Sequence, residues 1–357
     1  MYHVLKGDIV FWFHGLHEKY GPVVRVSPHE VGTSDRESWE LIHKMGSGFR
    51  KTRFHEKMRV GPEHMLFSMT DVRQHGARRK LFARALTMEN LRKNWEAEMR
   101  KLVELGVRKM KTEAQTGVTD VFKWWRFTTA DVISFLSFGE PFEMMKTGGE
   151  KEKEFATALE NIGFSIIMHD AFYPFFPWMA RVLPFKKLKD LAVTTEIVTR
   201  KGDVAIRNLR ETAMGRPNLF SNMLAEAETN EKSGLTDDAI RSEAAGMLLA
   251  GSDTTSVALT YLIYAVLKQP HLQRRLEEEV AALSGDFTDQ DLETLPLLNR
   301  VIDESLRVHS PVAGPLSRTT PAGGAYFKGH FIPEGTDVFA QHYTLTNDES
   351  LFPNPKE

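Results

Sequence analysis

The stretch Ala250-Gly251-Ser252-Asp253-Thr254-Thr255 decides the reading of this chain, because it interrupts the longest helical pattern, Asp238 to Gln269, which Pro270 stops. Gly, Ser, Asp and Thr are poor helix-interior residues, since they favour turns or bond to neighbouring backbone. Two readings are open at this point. In one, the helix breaks and Ser252 or Asp253 caps a second helix. In the other, the helix is locally opened as a groove: Gly251, beside Ala250, admits a flat ligand, and Asp253 with Thr254 forms an acid–alcohol pair that binds water and relays protons.

Downstream, the pattern predicts helices over Pro270–Leu283 and Pro296–His309, each with Pro where the first turn tolerates it. On the second, Glu304 and Arg307 are three apart and share a face. This is either an exposed ion pair that contributes little, or a buried one needing a second Arg or backbone carbonyls to offset desolvation. The apolar neighbours Leu297, Leu298, Val301, Ile302 and Leu306 suit burial. After Pro311 the texture turns to strands, Tyr326-Phe327, Phe331-Ile332 and Val338-Phe339-Ala340, separated by Lys328-Gly329 and Pro333-Glu334-Gly335 turns.

Upstream, Pro22-Val23-Val24-Arg25-Val26 reads as a strand with Glu30-Val31-Gly32-Thr33 as its return, followed by a short helix capped by Ser34 or Asp35. Asp71 to Lys111 is helical with a weak point at Thr87. Within it Arg73, His75, Arg78, Arg79, Lys80 and Arg84 form a basic run: either a solvated face, or an anion site with His75 and Arg79 on one face at i and i+4. Val121–Phe138 is a strongly apolar helix ended by Gly139 and Pro141. Residues 151–213 are helices interrupted by the Pro-aromatic segment Phe172 to Trp178. Its aromatic rings serve core packing, membrane-surface contact or substrate contact. Glu226 to Asp238 reads as a solvated loop.

The fold class is therefore mainly α with a small β component near both ends, in one unit without a linker. With 357 residues, 41% apolar, and a net charge of -2, the chain can bury a sizeable core. Its charge offers no field to hold nucleic acid. There is no cysteine. That removes disulfides, zinc-thiolate and iron–sulfur sites and is compatible with an intracellular setting. The apolar patch Ile9–Phe13 is far shorter than the roughly 18 residues of a spanning helix.

Taken together, these motifs resemble the cytochromes P-450, heme-thiolate monooxygenases of the fungal microsomal type, in order and spacing along nearly the whole chain. Tyr20–Val26 is similar to the family's first strand, and His75-Gly76-Ala77-Arg78-Arg79 to its heme-propionate helix. Thr129–Ile133 through Phe142 resembles the helix behind the heme, and Ala250–Thr255 the oxygen-activating groove. Glu304–Arg307 resembles the Glu-x-x-Arg signature, and Phe331–Thr336 the later strand–turn–strand. The resemblance implies a cytochrome P-450 fold, here a single partial domain over 1–357. Its central helix is expected at about 238–269, the Glu-x-x-Arg helix at about 296–309 and the strands at about 315–340.

It further implies heme, O2 and electrons from NADPH through a reductase, for hydroxylation of a small apolar substrate in fungal secondary metabolism. Asp253 and Thr254 would deliver protons; His75, Arg79 and Arg318 would hold the heme propionates; Ala250 and Gly251 would form the oxygen groove. Glu304 and Arg307 would be a structural ion pair, and Phe172, Val312 and Ala313 would meet substrate. Set against the family pattern, the fold is expected to be incomplete at both ends. The N-terminal membrane anchor precedes Met1, and Phe352–Glu357 resembles the segment just before the cysteine loop, so no axial ligand to iron is expected. The family is typical of the endoplasmic reticulum membrane; without the anchor, a cytoplasmic or peripheral location is expected. The alternative is a catalytically inactive remnant that binds a ligand or partner.

Overall fold

A computed structural model describes residues 2–83, 85–150, 152–172, 174–212, 217–229 and 235–355. Arg84, Tyr173, Lys356 and Glu357, named above, lie outside them, as do 230–234 of the expected loop. The chain begins with α1 (Tyr2–Lys6), α2 (Ile9–Tyr20), β1 (Val23–Ser27), β2 (Glu30–Thr33), α3 (Arg36–His43), β3 (Arg50–Lys51) and α4 (Arg53–Lys57). Then come α5 (Val72–Ala83), α6 (Met88–Ala114), α7 (Val121–Phe138), α8 (Met144–Thr147), α9 (Lys153–Ala171), α10 (Phe176–Val182), α11 (Lys186–Thr212) and α12 (Ser221–Thr229). The remainder is α13 (Asp237–Leu267), α14 (Pro270–Ala281), α15 (Asp289–Glu293), α16 (Pro296–Val308), β4 (Arg318–Thr319), β5 (Ala325–Phe327), β6 (His330–Ile332), β7 (Asp337–Ala340) and α17 (His342–Thr346). The mainly helical class with a small sheet component is as the composition and periodicity imply. No helix among the described residues is long and apolar enough to cross a membrane.

Two compact units divide the chain. The first comprises Met1–Met58, Ser68–Val72 and Arg307–Glu357. Its sheet runs β1-β2-β7-β4-β3, with β1 antiparallel to β2 and β2 parallel to β7. Because β2 and β7 are separated by most of the sequence, this pairing is long-range, and Val31, Val338 and Ala340 form its apolar centre with Ile42, Phe327 and Ile332. The patch at Ile9–Phe13 proves to be the start of a helix, α2, whose Phe13 is buried against Phe339 at 4.9 Å.

The second unit, Arg59–Phe67 and Arg73–Leu306, holds the helical core. Thr87, the weak point in the sequence, is the N-cap of α6, accepting from the Asn90 amide at 3.4 Å. Asp120 caps α7 in the same way, and Gly139 closes it at φ 81, a left-handed conformation that suits a residue without Cβ. Phe220 packs edge-on to Phe82 and stacks on Phe138, each at 5.5 Å. Such contacts are worth about 0.5–1.5 kcal/mol beyond their buried area. The loop expected from Glu226 begins later than the sequence suggests, since α12 runs through Thr229. Thr236 then caps α13 by accepting from the Ala239 amide at 3.0 Å.

Candidate active site

The helix α13 runs unbroken through Ala250–Thr255, so the reading in which Ser252 or Asp253 caps a new helix is corrected. The reason lies in where the hydroxyls bond. Thr254 Oγ1 donates to the Ala250 carbonyl at 2.7 Å, and Thr260 Oγ1 to Ser256 at 2.7 Å. Those two hydroxyls are satisfied within their own helix, while Ser252 Oγ is buried with no hydrogen-bond partner among the described residues and so caps no backbone amide. Ala250 is exposed and Thr254 half-buried, one turn apart on the same face.

The opposite side of the motif is welded to α7. A Cβ added to Gly251 would stand 2.5 Å from Ile133 Cγ1 and 2.9 Å from its Cβ. A side chain at Gly251 would therefore meet α7 where the two helices cross. Beside it, Thr129 Oγ1 lies 2.8 Å from the Ser252 carbonyl. Each of these α7 residues was visible in the sequence only as part of an apolar helix.

Asp253 is half-buried, and its carboxylate accepts no hydrogen bond among the described residues. Burial raises its pKa, while the positive charge of Arg126 on α7 opposes the rise. Arg126 is itself buried and donates through Nη1 to Glu160 at 2.8 Å. A lone Arg inside Trp124-Trp125-Arg126-Phe127 is the signal that sequence reading could have used, since buried guanidinium groups require partners.

The basic run on α5 is split by the fold. Arg78 turns inward and donates to Glu243 of α13 at 2.9 Å, with both side chains buried. His75 is half-buried and Arg79 exposed, one turn apart. Arg79 makes no ion pair among the described residues, so its guanidinium is free for an anion.

In the first unit, Arg318 on β4 is half-buried and has no carboxylate partner among the described residues. It donates to the Leu316 and Ser317 carbonyls at 3.0 and 3.1 Å and stands 3.3 Å from His55 Nε2. Burial lowers its pKa. His55 is pushed down to about 4, first by burial and then by the charge of Arg318. His43 is lowered by the same two causes. Val312 is exposed and Ala313 half-buried.

Arg307 donates to the Thr346 carbonyl and, at 2.9 Å, to that of Pro355, with its guanidinium 4.6 Å from the Phe352 ring. The backbone carbonyls that a buried Arg requires are thus supplied by the segment 346–355. Glu304, one turn earlier on α16, is exposed.

The Pro-aromatic segment divides by burial. Phe172 is partly buried and packs against the small core of Met168, Phe176 and Leu191. Phe175 and Trp178 are exposed.

Comparison with known proteins gives a consistent result. The chain is 37% identical over 353 residues to "Cytochrome P450 monooxygenase cypX" of Dothistroma septosporum, covering 97% of this chain and 68% of that protein. It is 36% identical to "Cytochrome P450 monooxygenase stcB" of Emericella nidulans, covering 98% of this chain and 67% of the relative. The solved structure of retinoic acid bound cyanobacterial CYP120A1 shares the fold with a TM-score of 0.75 at 18% identity, over 96% of this chain and 74% of that one. The Cytochrome P450 family profile matches residues 2–357. The chain belongs to the cytochrome P450 family, whose cofactor is heme.

Proposed function

We propose that this chain serves monooxygenation, the hydroxylation of a small apolar organic substrate, with Asp253 and Thr254 as the proton-delivering pair. The observation that carries this reading is the arrangement on α13, where a half-buried carboxylate adjoins a hydroxyl already bonded to its own helix at Ala250. Burial raises the pKa of Asp253, against the opposing charge of Arg126, which favours a carboxyl that can carry and give a proton. Heme, when bound, supplies the iron at which dioxygen is activated, with electrons from NADPH arriving through a reductase.

Two features suit heme. The Arg318 guanidinium is desolvated without a carboxylate partner among the described residues, which fits a propionate. On α13, Ala250 is exposed and Thr254 half-buried on one face, which leaves that face accessible to a bound group. His75, Arg79 and Arg318 would hold the propionates, and Val312 and Ala313 would meet the substrate. The exposed Phe175 and Trp178 support peripheral contact with the endoplasmic reticulum membrane, where the reductase works.

The test is the yield of product per NADPH consumed in Thr254→Ala and Asp253→Asn. Loss of the acid is expected to slow turnover on the order of 10²-fold. Loss of the hydroxyl is expected to leave NADPH consumption running while product falls. Wild-type rate and yield in both variants would sink the assignment.

A further inference from the structure

The α7–α13 crossing brings together two opposite charges that are both short of partners. Arg126 has a side chain only 10% exposed, yet its Nε–H is buried with no acceptor. One of its terminal nitrogens is taken by Glu160, a carboxylate 57% exposed at the surface, and its guanidinium lies 4.2 Å from the Phe122 ring. Three residues further along α7, Thr129 touches the backbone of Ser252, the residue before Asp253. One turn beyond that, Ile133 closes on Gly251. This ladder of contacts fixes the register of α7 against the motif and brings the field of Arg126 onto Asp253. The charge of Arg126 opposes the rise that burial imposes on Asp253.

We propose that Arg126 is the positioning residue for Asp253: its guanidinium holds the side chain as a carboxylate between proton deliveries, and Glu160 sets how strongly it does so. The proposal rests on the reading of Asp253 and Thr254 as a proton-delivering pair. A carboxylate desolvated without a cation would keep its proton and stop cycling. With Arg126 in place, an Asp253 oxygen gives its proton toward Thr254, returns ionised to the field of the guanidinium, and regains a proton from solvent, so no charge accumulates. Glu160 competes for the same guanidinium. Because Glu160 is largely in water, its hold is weak and leaves Arg126 able to serve both acids.

The experiment is a titration of the Asp253 carboxyl carbon by ¹³C NMR in the full chain, with the resonance assigned by Asp253→Asn. Arg126→Gln is expected to raise the Asp253 midpoint by about one pH unit or more. Arg126→Lys should keep it near the wild-type value, and Glu160→Gln should lower it by freeing the guanidinium. An Arg126→Gln midpoint equal to that of the wild type would overturn the proposal. If Arg126→Gln fails to fold, Glu160→Gln decides: a lowered midpoint supports the proposal and an unmoved one overturns it. The readout is ionisation rather than turnover. Asp253→Asn and Thr254→Ala enzymes with normal rate and product yield would therefore sink the proton-delivery reading of the pair while leaving this coupling measurable in the unaltered chain.

Discussion

The hydroxyl of Thr129 on α7 stands 2.8 Å from the main-chain oxygen of Ser252 on α13, a bond between residues 123 apart in sequence. It ties the Ala250–Thr255 stretch of α13 to the helix that packs against it. Thr129→Val keeps the shape and removes the donor. It should lower the free energy of unfolding by about 1 kcal/mol, because the Ser252 carbonyl retains its helical partner. Urea denaturation measures this, and a stability equal to wild type would mean the contact contributes nothing.

Gly251→Ala sets helix propensity against packing. Propensity alone favours Ala by about 1 kcal/mol. The new Cβ, however, would sit 2.9 Å from the Cβ of Ile133, an atom that no rotamer change can move away. Overpacking of this kind costs about 1–3 kcal/mol, so a net loss is expected. Ile133→Ala removes the Cγ1 and Cδ1 contacts at 2.5 and 2.8 Å but keeps the Cβ, so adding it to Gly251→Ala should relieve part of the loss, giving a coupling of about 1 kcal/mol in a double-mutant cycle. Additive effects would show that the two side chains do not compete for this space.

Arg78 and Glu243 are both buried and paired at 2.9 Å. Arg78→Met takes this cation away from a buried carboxylate and is expected to destabilise by about 3–5 kcal/mol. Arg78→Met with Glu243→Leu should regain most of that loss, since an apolar pair of similar volume needs no compensation. Thermal unfolding of the three variants checks the order, and a double variant as unstable as Arg78→Met would contradict it.

Asp131 and His55 give opposite pH dependences. The Asp131 carboxylate accepts the Met144 and Met145 amides at 2.8 and 3.0 Å, but burial still pushes its pKa up to about 6 from 3.8. Between those values the folded state holds the proton more tightly than the unfolded one. Stability from this group is therefore present at low pH and lost as pH rises through 6, by at most about 3 kcal/mol. His55 is pushed down to about 4 from 6.5, so its contribution is present above 6.5 and lost as pH falls toward 4. Unfolding curves from pH 4 to 7 should show Asp131→Asn removing the first slope and His55→Gln the second. Unchanged slopes would remove these residues as the cause.

Arg318→Gln exchanges a charged donor for a neutral one at a position with no carboxylate partner among the described residues. The charged bond to a propionate is worth about 1.5–3 kcal/mol. Heme affinity should fall on the order of 10- to 100-fold while the unfolding midpoint of the heme-free chain changes little. An unaltered heme affinity would remove Arg318 from the propionate set.

Much of the fold was legible in local sequence. Val121–Phe138 reads as a helix from end to end because Asp120 and Gly139 are capping residues on either side of an apolar run. The hairpin of β1 and β2 follows from two β-branched runs around Ser27-Pro28. Local rules failed inside Ala250–Thr255, where the same residue types suit a cap or a helix interior. The backbone stays helical there because the hydroxyls bond back along α13 and α7 packs against it.

The sequence by itself determined the mainly helical class, the strand-rich C-terminal part, and an acid–alcohol pair next to small residues on one long helix. It determined these because caps, periodicity and hydrogen-bonding type act over a few residues. Only the tertiary structure decided which way each side chain is committed: Gly251 to Ile133, Arg78 to Glu243, Phe172 to a core, Arg307 to the 346–355 carbonyls, and Arg126 to the field at Asp253. Those commitments join residues tens to more than a hundred positions apart. Close packing and desolvation, which act in space rather than along the chain, set them.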